Sequence, residues 1–279
     1  MAQPTASTHL RTLEAALGHR LVERAGRATR LTDAGRLLAR HAAVVVAALE
    51  ELEEELVALD GAVTGSLVLA CCDSFGDYVL PAMLRTFAHE RPRADIRIHV
   101  GPSGDVVRAV ARGDAHLGIA GQTRRSENVH AEPLLRDELA WVACGRPAAL
   151  PSVDVHDVTL IVPARESSTR AMTERLLGRS RSRPARVLEL DSLEAVKRAV
   201  RSEVGVALLS RLAVADELAA GDLREIKFLG VSGVDRAIDI LRSEHRQPTP
   251  LEQAFEQALR LHCDTMRSPL RHATAAANV

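Results

Sequence analysis

Four places in this chain put hydroxyls and carboxylates where a strand hands over to a helix. SLVLAC (66–71) ends in Cys72-Asp73-Ser74, and DIRIHV (95–100) ends in Gly101-Pro102-Ser103. VTLIV (158–162) leads to Glu166-Ser167-Ser168-Thr169, and RVLEL (186–190) ends in Asp191-Ser192. Backbone N–H groups at a helix start carry partial positive charge, so hydroxyls beside them favour a small anion. Plain helix capping uses the same residue types and is the better explanation for any single join. Asp73 works against an anion and suits an amino group, a sugar or an amide instead. Cys72 is either a redox handle or, more simply, a small residue tucked behind the join.

No catalytic arrangement accompanies these joins. Nucleophile-elbow GxSxG, P-loop and HExxH motifs are absent. His9, His19, His41, His89 and His99 are scattered among charged or solvent-like positions. Cys71, Cys72, Cys144 and Cys263 form no CxxC pair and no metal spacing, which predicts reduced thiols, a cytoplasmic protein, no metal and no cofactor. An apolar run of about 18 residues, the length a membrane helix needs, does not occur, and the N-terminus lacks a signal pattern. The expectation is a protein that is not an enzyme and has no membrane partner.

The elements that would position the joins alternate between strand and helix. After Gly61–Gly65 come 66–71, a helix over 75–90, 95–100, a helix over 103–112 and HLGIA (116–120), with ELAWVAC (138–144) as a further buried strand. A second set follows: 158–162, a helix over 169–177, 186–190, a helix over 192–202 and VALLS (206–210). This β-α-β rhythm predicts an α/β fold of two lobes with parallel-rich sheets and helices on their faces. DRAIDILR (235–242) reads as a late strand returning to the first lobe, and LEQAFEQALRLHC (251–263) as an amphipathic closing helix. The chain has four Phe, one Trp and one Tyr, so its cores must be built from Leu, Val, Ile and Ala.

The first 60 residues differ in kind. Residues 1–40 hold seven Arg against three acids, Glu14, Glu23 and Asp33, a local net of +4 in a chain whose formal net charge is −1. A basic end of this sort is a candidate for phosphate contact, with a solvated helix face as the ordinary alternative. Pro4 suits a first helical turn, Leu10, Leu13 and Leu17 fall at helical spacing, and Gly18 suits the stop. Two short β-prone pieces flank Ala25-Gly26, and Thr32-Asp33 offers a cap for another helix. That helix runs to about Leu59, with Leu38, Ala42, Val45, Leu49, Leu52, Leu56 and Leu59 spaced 4, 3, 4, 3, 4, 3. An unbroken heptad series predicts a seam against another helix. Val45, Leu49, Leu52, Leu56 and Leu59 are the expected dimerisation residues.

These features together resemble the LysR family of transcriptional regulators. AQPTASTHLRTLEAALGHRLVERAGRATRLTDAG (2–35) is similar to the second half of the family's winged helix-turn-helix. GDYVLPAMLRTFAHERP (76–92), SSTR (167–170) and DSLEAVKRAVRSEVGVALLS (191–210) resemble its effector-sensing region. The resemblance covers residues 2–265 and implies three parts. A partial winged helix-turn-helix occupies 1–35, and a linker and dimerisation helix 36–60. A periplasmic-binding-protein-like effector domain occupies 66–265, with lobe one at about 66–143 and 236–265 and lobe two at about 146–235. Residues 266–279 form a tail.

Carried over position by position, the recognition helix would present Gln3, Pro4, Ser7 and Thr8 to base edges, with Arg11 near phosphate and Arg27 and Arg30 in the wing. The family often has Arg where Thr8 stands. The first three joins fall at the cleft between lobes, which makes Cys72, Asp73, Ser74, Ser103, Ser167 and Thr169 the expected effector contacts. The implied partners are double-stranded DNA, a small-molecule effector with anionic character, and further copies of the chain in a homodimer or homotetramer. The family pattern has about 20–25 residues ahead of Met1. Without them, the alternative is an effector-binding sensor that dimerises and does not bind DNA specifically.

Overall fold

The computed structural model describes residues 3–25, 28–58, 65–121, 126, 128–145, 152–153, 155–180, 183–228 and 233–276. The chain forms two compact units, Met1–Leu56 and Val57–Val279.

In the first unit the helix Gln3–Leu17 leads to an antiparallel pair, Val22–Ala25 with Ala28–Leu31, and then to the helix Asp33–Ala58. Glu14 ties helix to hairpin: its Oε1 accepts from the backbone N–H of Leu21 at 2.7 Å and of Val22 at 3.3 Å. Those two bonds, the Leu21 bond foremost, hold the Glu14 carboxyl below its ordinary value. Thr32 caps the long helix by accepting from Gly35 N at 3.0 Å, while its hydroxyl donates to the Arg20 carbonyl at 2.6 Å. Gly35 is buried so closely that a Cβ there would sit 2.0 Å from the Leu21 carbonyl oxygen, which leaves glycine as the only residue that fits.

In the second unit, lobe one is built on the parallel strands Gly65–Cys72, Ala94–Gly101 and Leu117–Gly121. Its core packs Leu67, Leu69, Phe75, Phe87, Ile119 and Ile240 against Leu251, Phe255 and Leu259 of the closing helix. Lobe two holds the parallel pair Thr159–Val162 and Arg186–Glu189, the strand Ala207–Ser210, and the helices Ser168–Ser180, Leu193–Arg201 and Arg211–Ala220. Trp141 and Phe228 meet there at 4.5 Å between ring centroids, amid Leu, Val and Met. Branched aliphatics fill the remaining volume, as the scarcity of aromatics requires.

Four features differ from the sequence reading. The segment 75–90 is two helices, Asp73–Tyr78 and Leu80–Glu90, because Pro81 has no N–H to continue the first. Beside the parallel strands that the β-α-β rhythm predicts, the sheets carry an antiparallel pair that it does not: Val129–Cys144 and Gly233–Ser243 pair antiparallel over most of their length and link the lobes. Leu139, Trp141 and Ala143 pack in lobe two, so the first of these strands changes lobe near Asp137, ahead of the expected boundary at 143. The closing helix spans Pro250–Ala276 and takes in most of the expected tail.

Candidate functional site

The two crossing strands bring an oppositely charged pair to the junction between lobes. Asp137 and Arg236 stand directly opposite each other in the antiparallel register. Their side chains are 0% and 3% exposed, respectively. Arg236 Nε and one terminal nitrogen each lie 2.7 Å from Asp137 Oδ2. Ser210 donates to the other carboxylate oxygen at 2.8 Å. Burial pushes the Asp137 carboxyl up, and the guanidinium pulls against it.

The rest of the guanidinium joins the lobes. It donates to Ser74 Oγ of lobe one at 2.7 Å, and to Ser168 Oγ and Thr169 Oγ1 of lobe two at 2.8 and 2.9 Å. Ser103 donates to Ser168 Oγ at 3.2 Å and accepts from Gly121 N at 3.1 Å. Gly121 permits this approach, since a Cβ there would lie 2.5 Å from Ser168 Oγ.

Further contacts flank the centre on two sides. On one side Gly104 N donates to the Glu166 carbonyl at 3.0 Å, and Arg108 pairs with the Glu166 carboxylate at 3.3 Å. On the other, Lys197 Nζ of lobe two donates to Tyr78 Oη of lobe one at 2.9 Å and pairs with Glu217 at 2.7 Å. The lobes are therefore held together across a narrow cleft, whose cavity of about 30 Å³ has room for little more than one water molecule.

All six sequence-nominated cleft residues, Cys72, Asp73, Ser74, Ser103, Ser167 and Thr169, line this one cavity, together with Ser168, Asp191, Ser210 and Arg236. Burial pushes the Cys72 thiol up, which disfavours the nucleophilic thiolate, and its sulfur lies 3.9 Å from Ser74 Oγ. Burial also raises the Asp73 carboxyl.

The other nominated residues lie in the first unit. Gln3 and Pro4 open the helix Gln3–Leu17, Ser7, Thr8 and Arg11 are exposed along it, and Arg30 is exposed on the second hairpin strand. Arg27 lies outside the described residues. Val45, Leu49 and Leu52 are 60%, 57% and 50% exposed on the long helix. Leu56 lies in that helix, and Leu59 falls outside the described residues. Among the described residues no helix is long and apolar enough to cross a membrane, and no cluster of side chains could hold a metal ion.

Sequence reasoning missed Arg236, Asp137 and Ser210. A signal for the pair was present: Leu135, Asp137 and Leu139 alternate on the buried face of one strand, and Arg236, Ile238 and Ile240 on that of the other. A lone charge at an apolar period-two position on each of two strands, with opposite signs, marks a buried ion pair.

The second unit is a two-lobed domain closing on a polar cleft, and the first is a helix, a hairpin and a long helix. Known proteins place the chain in a family. The LysR substrate binding domain matches residues 60–264, and the bacterial regulatory helix-turn-helix of the lysR family matches 1–36. The uncharacterised HTH-type transcriptional regulator YeiE of Escherichia coli is 29% identical over 273 residues, covering 96% of this chain and 90% of that protein. Full-length OxyR from Pseudomonas aeruginosa superposes with a TM-score of 0.69 at 21% identity, over 94% of this chain and 86% of that one. The CcmR regulatory domain of Synechocystis PCC6803 in complex with 2-PG gives 0.64 at 22%, over 71% and 97%. The chain belongs to the LysR family of transcriptional regulators, which bind DNA and small-molecule effectors and are not enzymes.

Proposed function

We propose that this regulator senses its effector in the cleft around Arg236, with Cys72, Asp73, Ser74, Ser103, Ser167 and Thr169 as walls of the site. The observation that carries this reading is the Arg236 guanidinium, which bonds hydroxyls of both lobes at once. A ligand that takes over part of this network changes how the lobes meet. The hydroxyls that accept from Arg236 keep their own hydrogens for a ligand acceptor, such as a carboxylate oxygen.

Double-stranded DNA is the partner of the first unit. Gln3, Pro4, Ser7 and Thr8 face the bases, and Arg11, Arg27 and Arg30 meet the backbone or the minor groove. The long helix assembles the chain as a homodimer, which two such dimers can extend to a tetramer, and the protein works in the cytoplasm.

A ligand bound only by the folded state raises the melting temperature by mass action. The effector is expected to do so, and Ser167→Ala and Thr169→Ala are each expected to reduce the shift without changing the ligand-free Tm by more than about 2–4 °C, the effect of roughly 1 kcal/mol in a domain of this size. Differential scanning fluorimetry reads both quantities. Undiminished shifts in both variants would place the effector elsewhere.

A further inference from the structure

Positive charge gathers in two places along this chain. One is the first 40 residues. The other is RLLGRSRSRPAR (175–186), which holds five Arg and no acid. That segment carries +5 in a chain whose formal net charge is −1, so all other residues together carry −6. It lies wholly within the second unit, at the end of the helix Ser168–Ser180 and the start of the strand Arg186–Glu189.

Arg175, Arg179, Arg183 and Arg186 are all exposed, and Arg181 lies outside the described residues. Among the described residues none of the four has an ion-pair or hydrogen-bond partner for its side chain. The nearest acids in sequence are already engaged: Glu174 pairs with Arg170, and Glu189 with both Arg165 and Arg170. Other exposed arginines of the same lobe do find acids, Arg198 with Glu194 and Arg201 with Asp222. Arg179 stands in the last turn of its helix, where a cation suits the negative end, but this accounts for one of the four.

Chain geometry keeps these arginines together. Arg175 and Arg179 share one helix face, about 6 Å apart along the axis. The intervening backbone can carry Arg183 no more than about 14 Å from Arg179, and Arg186 no more than about 11 Å from Arg183. Salt screens exposed charges beyond about 10 Å at 0.1 M, so neighbours in the cluster repel one another. The protein supplies no counter-charge, and a polyanion relieves that repulsion.

We infer that this surface binds the phosphate backbone of double-stranded DNA, whatever its sequence, in addition to the contacts of the first unit. The guanidinium fork matches phosphate geometry, and DNA is the polyanion that regulators of this family bind. A protein partner fits less well. Protein interfaces have an apolar, aromatic-rich centre, whereas Val187 is the one large apolar side chain exposed among the described residues of 168–189. Phosphate contacts carry no sequence information, so the surface strengthens binding to all duplexes alike.

Counterion release supplies the test, because each phosphate contact adds about 0.9 to the slope of log K against log salt. The full chain is titrated by fluorescence anisotropy against random-sequence duplex DNA between about 50 and 200 mM salt. Arg175→Gln, Arg179→Gln, Arg183→Gln and Arg186→Gln in one variant should lower the slope by about 3–4 and weaken binding at the lowest salt at least tenfold. Lysine at the same four positions keeps the charge and should hold the slope within about one of the natural value. The glutamine variant should melt no lower than the natural protein, since it loses only like-charge repulsion. If it does melt lower, Arg175→Gln with Arg179→Gln carries the test, with a slope lower by about 2.

A slope unchanged in the glutamine variants, or no binding at the lowest salt, overturns the inference. Arg11→Gln with Arg30→Gln reports the first unit separately: a slope that falls there and not in the glutamine variants of the second unit rejects this surface and spares the first. Tighter binding to poly-L-glutamate than to DNA, lost in the four-glutamine variant, assigns the surface to an acidic protein and overturns the DNA contact.

Discussion

Arg236→Met is expected to destabilise the second unit by about 3–5 kcal/mol, the usual consequence of leaving a buried charge without its partner. Asp137 is fully buried, and once the guanidinium is gone its carboxylate retains a single side-chain donor, Ser210. The hydroxyls of Ser74, Ser168 and Thr169 lose a shared donor as well, although each can turn to water as the cleft loosens. The double variant Arg236→Met with Asp137→Leu removes both charges and should unfold at higher denaturant than Arg236→Met alone, although it loses more polar contacts in total. Urea unfolding followed by circular dichroism measures both. A single variant within about 0.5 kcal/mol of the natural protein, the usual range for surface changes, would mean that the pair is not buried.

A second large effect is expected in assembly. Val45, Leu49 and Leu52 are half exposed or more on a helix that continues through Ala58. Their heptad positions form one stripe, which another copy can cover. Burying a leucine is worth about 1.5–3 kcal/mol, and an isologous interface counts each position twice. Glutamate at both Leu49 and Leu52 removes that gain and puts four extra negative charges into the seam of a dimer, beside the run of five Glu over residues 50–55. The variant should run as a smaller species in multi-angle light scattering. An oligomer of unchanged mass would assign assembly to another surface.

Much of the fold was legible because local chemistry and tertiary structure agree. The strand-helix joins at Ser103 and Ser192 open helices within a residue of where the sequence places them, and Thr32 caps the long helix as its type predicts. The cleft walls were legible for the same reason: hydroxyls at the ends of adjacent parallel strands gather at one edge of a sheet. The centre of the cleft was not legible. Arg236 and Asp137 are 99 residues apart, and each is one charged residue among many in a chain with 36 basic and 37 acidic side chains. Only the register of two long antiparallel strands sets them opposite each other, and a reading based on β-α-β rhythm has no place for a strand pair of that kind. The kink at Val79 was missed for a more local reason. The helical period continues across Pro81, and periodicity does not register a missing donor.

Where the effector binds is the decisive question, and hydrogen exchange locates a bound molecule along the whole backbone in one measurement. The full chain is exchanged with and without a small molecule that raises its Tm, and backbone protection is read by mass spectrometry. An effector in the cleft should slow exchange in residues 72–75, 103–106, 166–170 and 236–238, contributed by both lobes. Protection confined to one lobe's outer surface, or to the closing helix Pro250–Ala276, would contradict a cleft site.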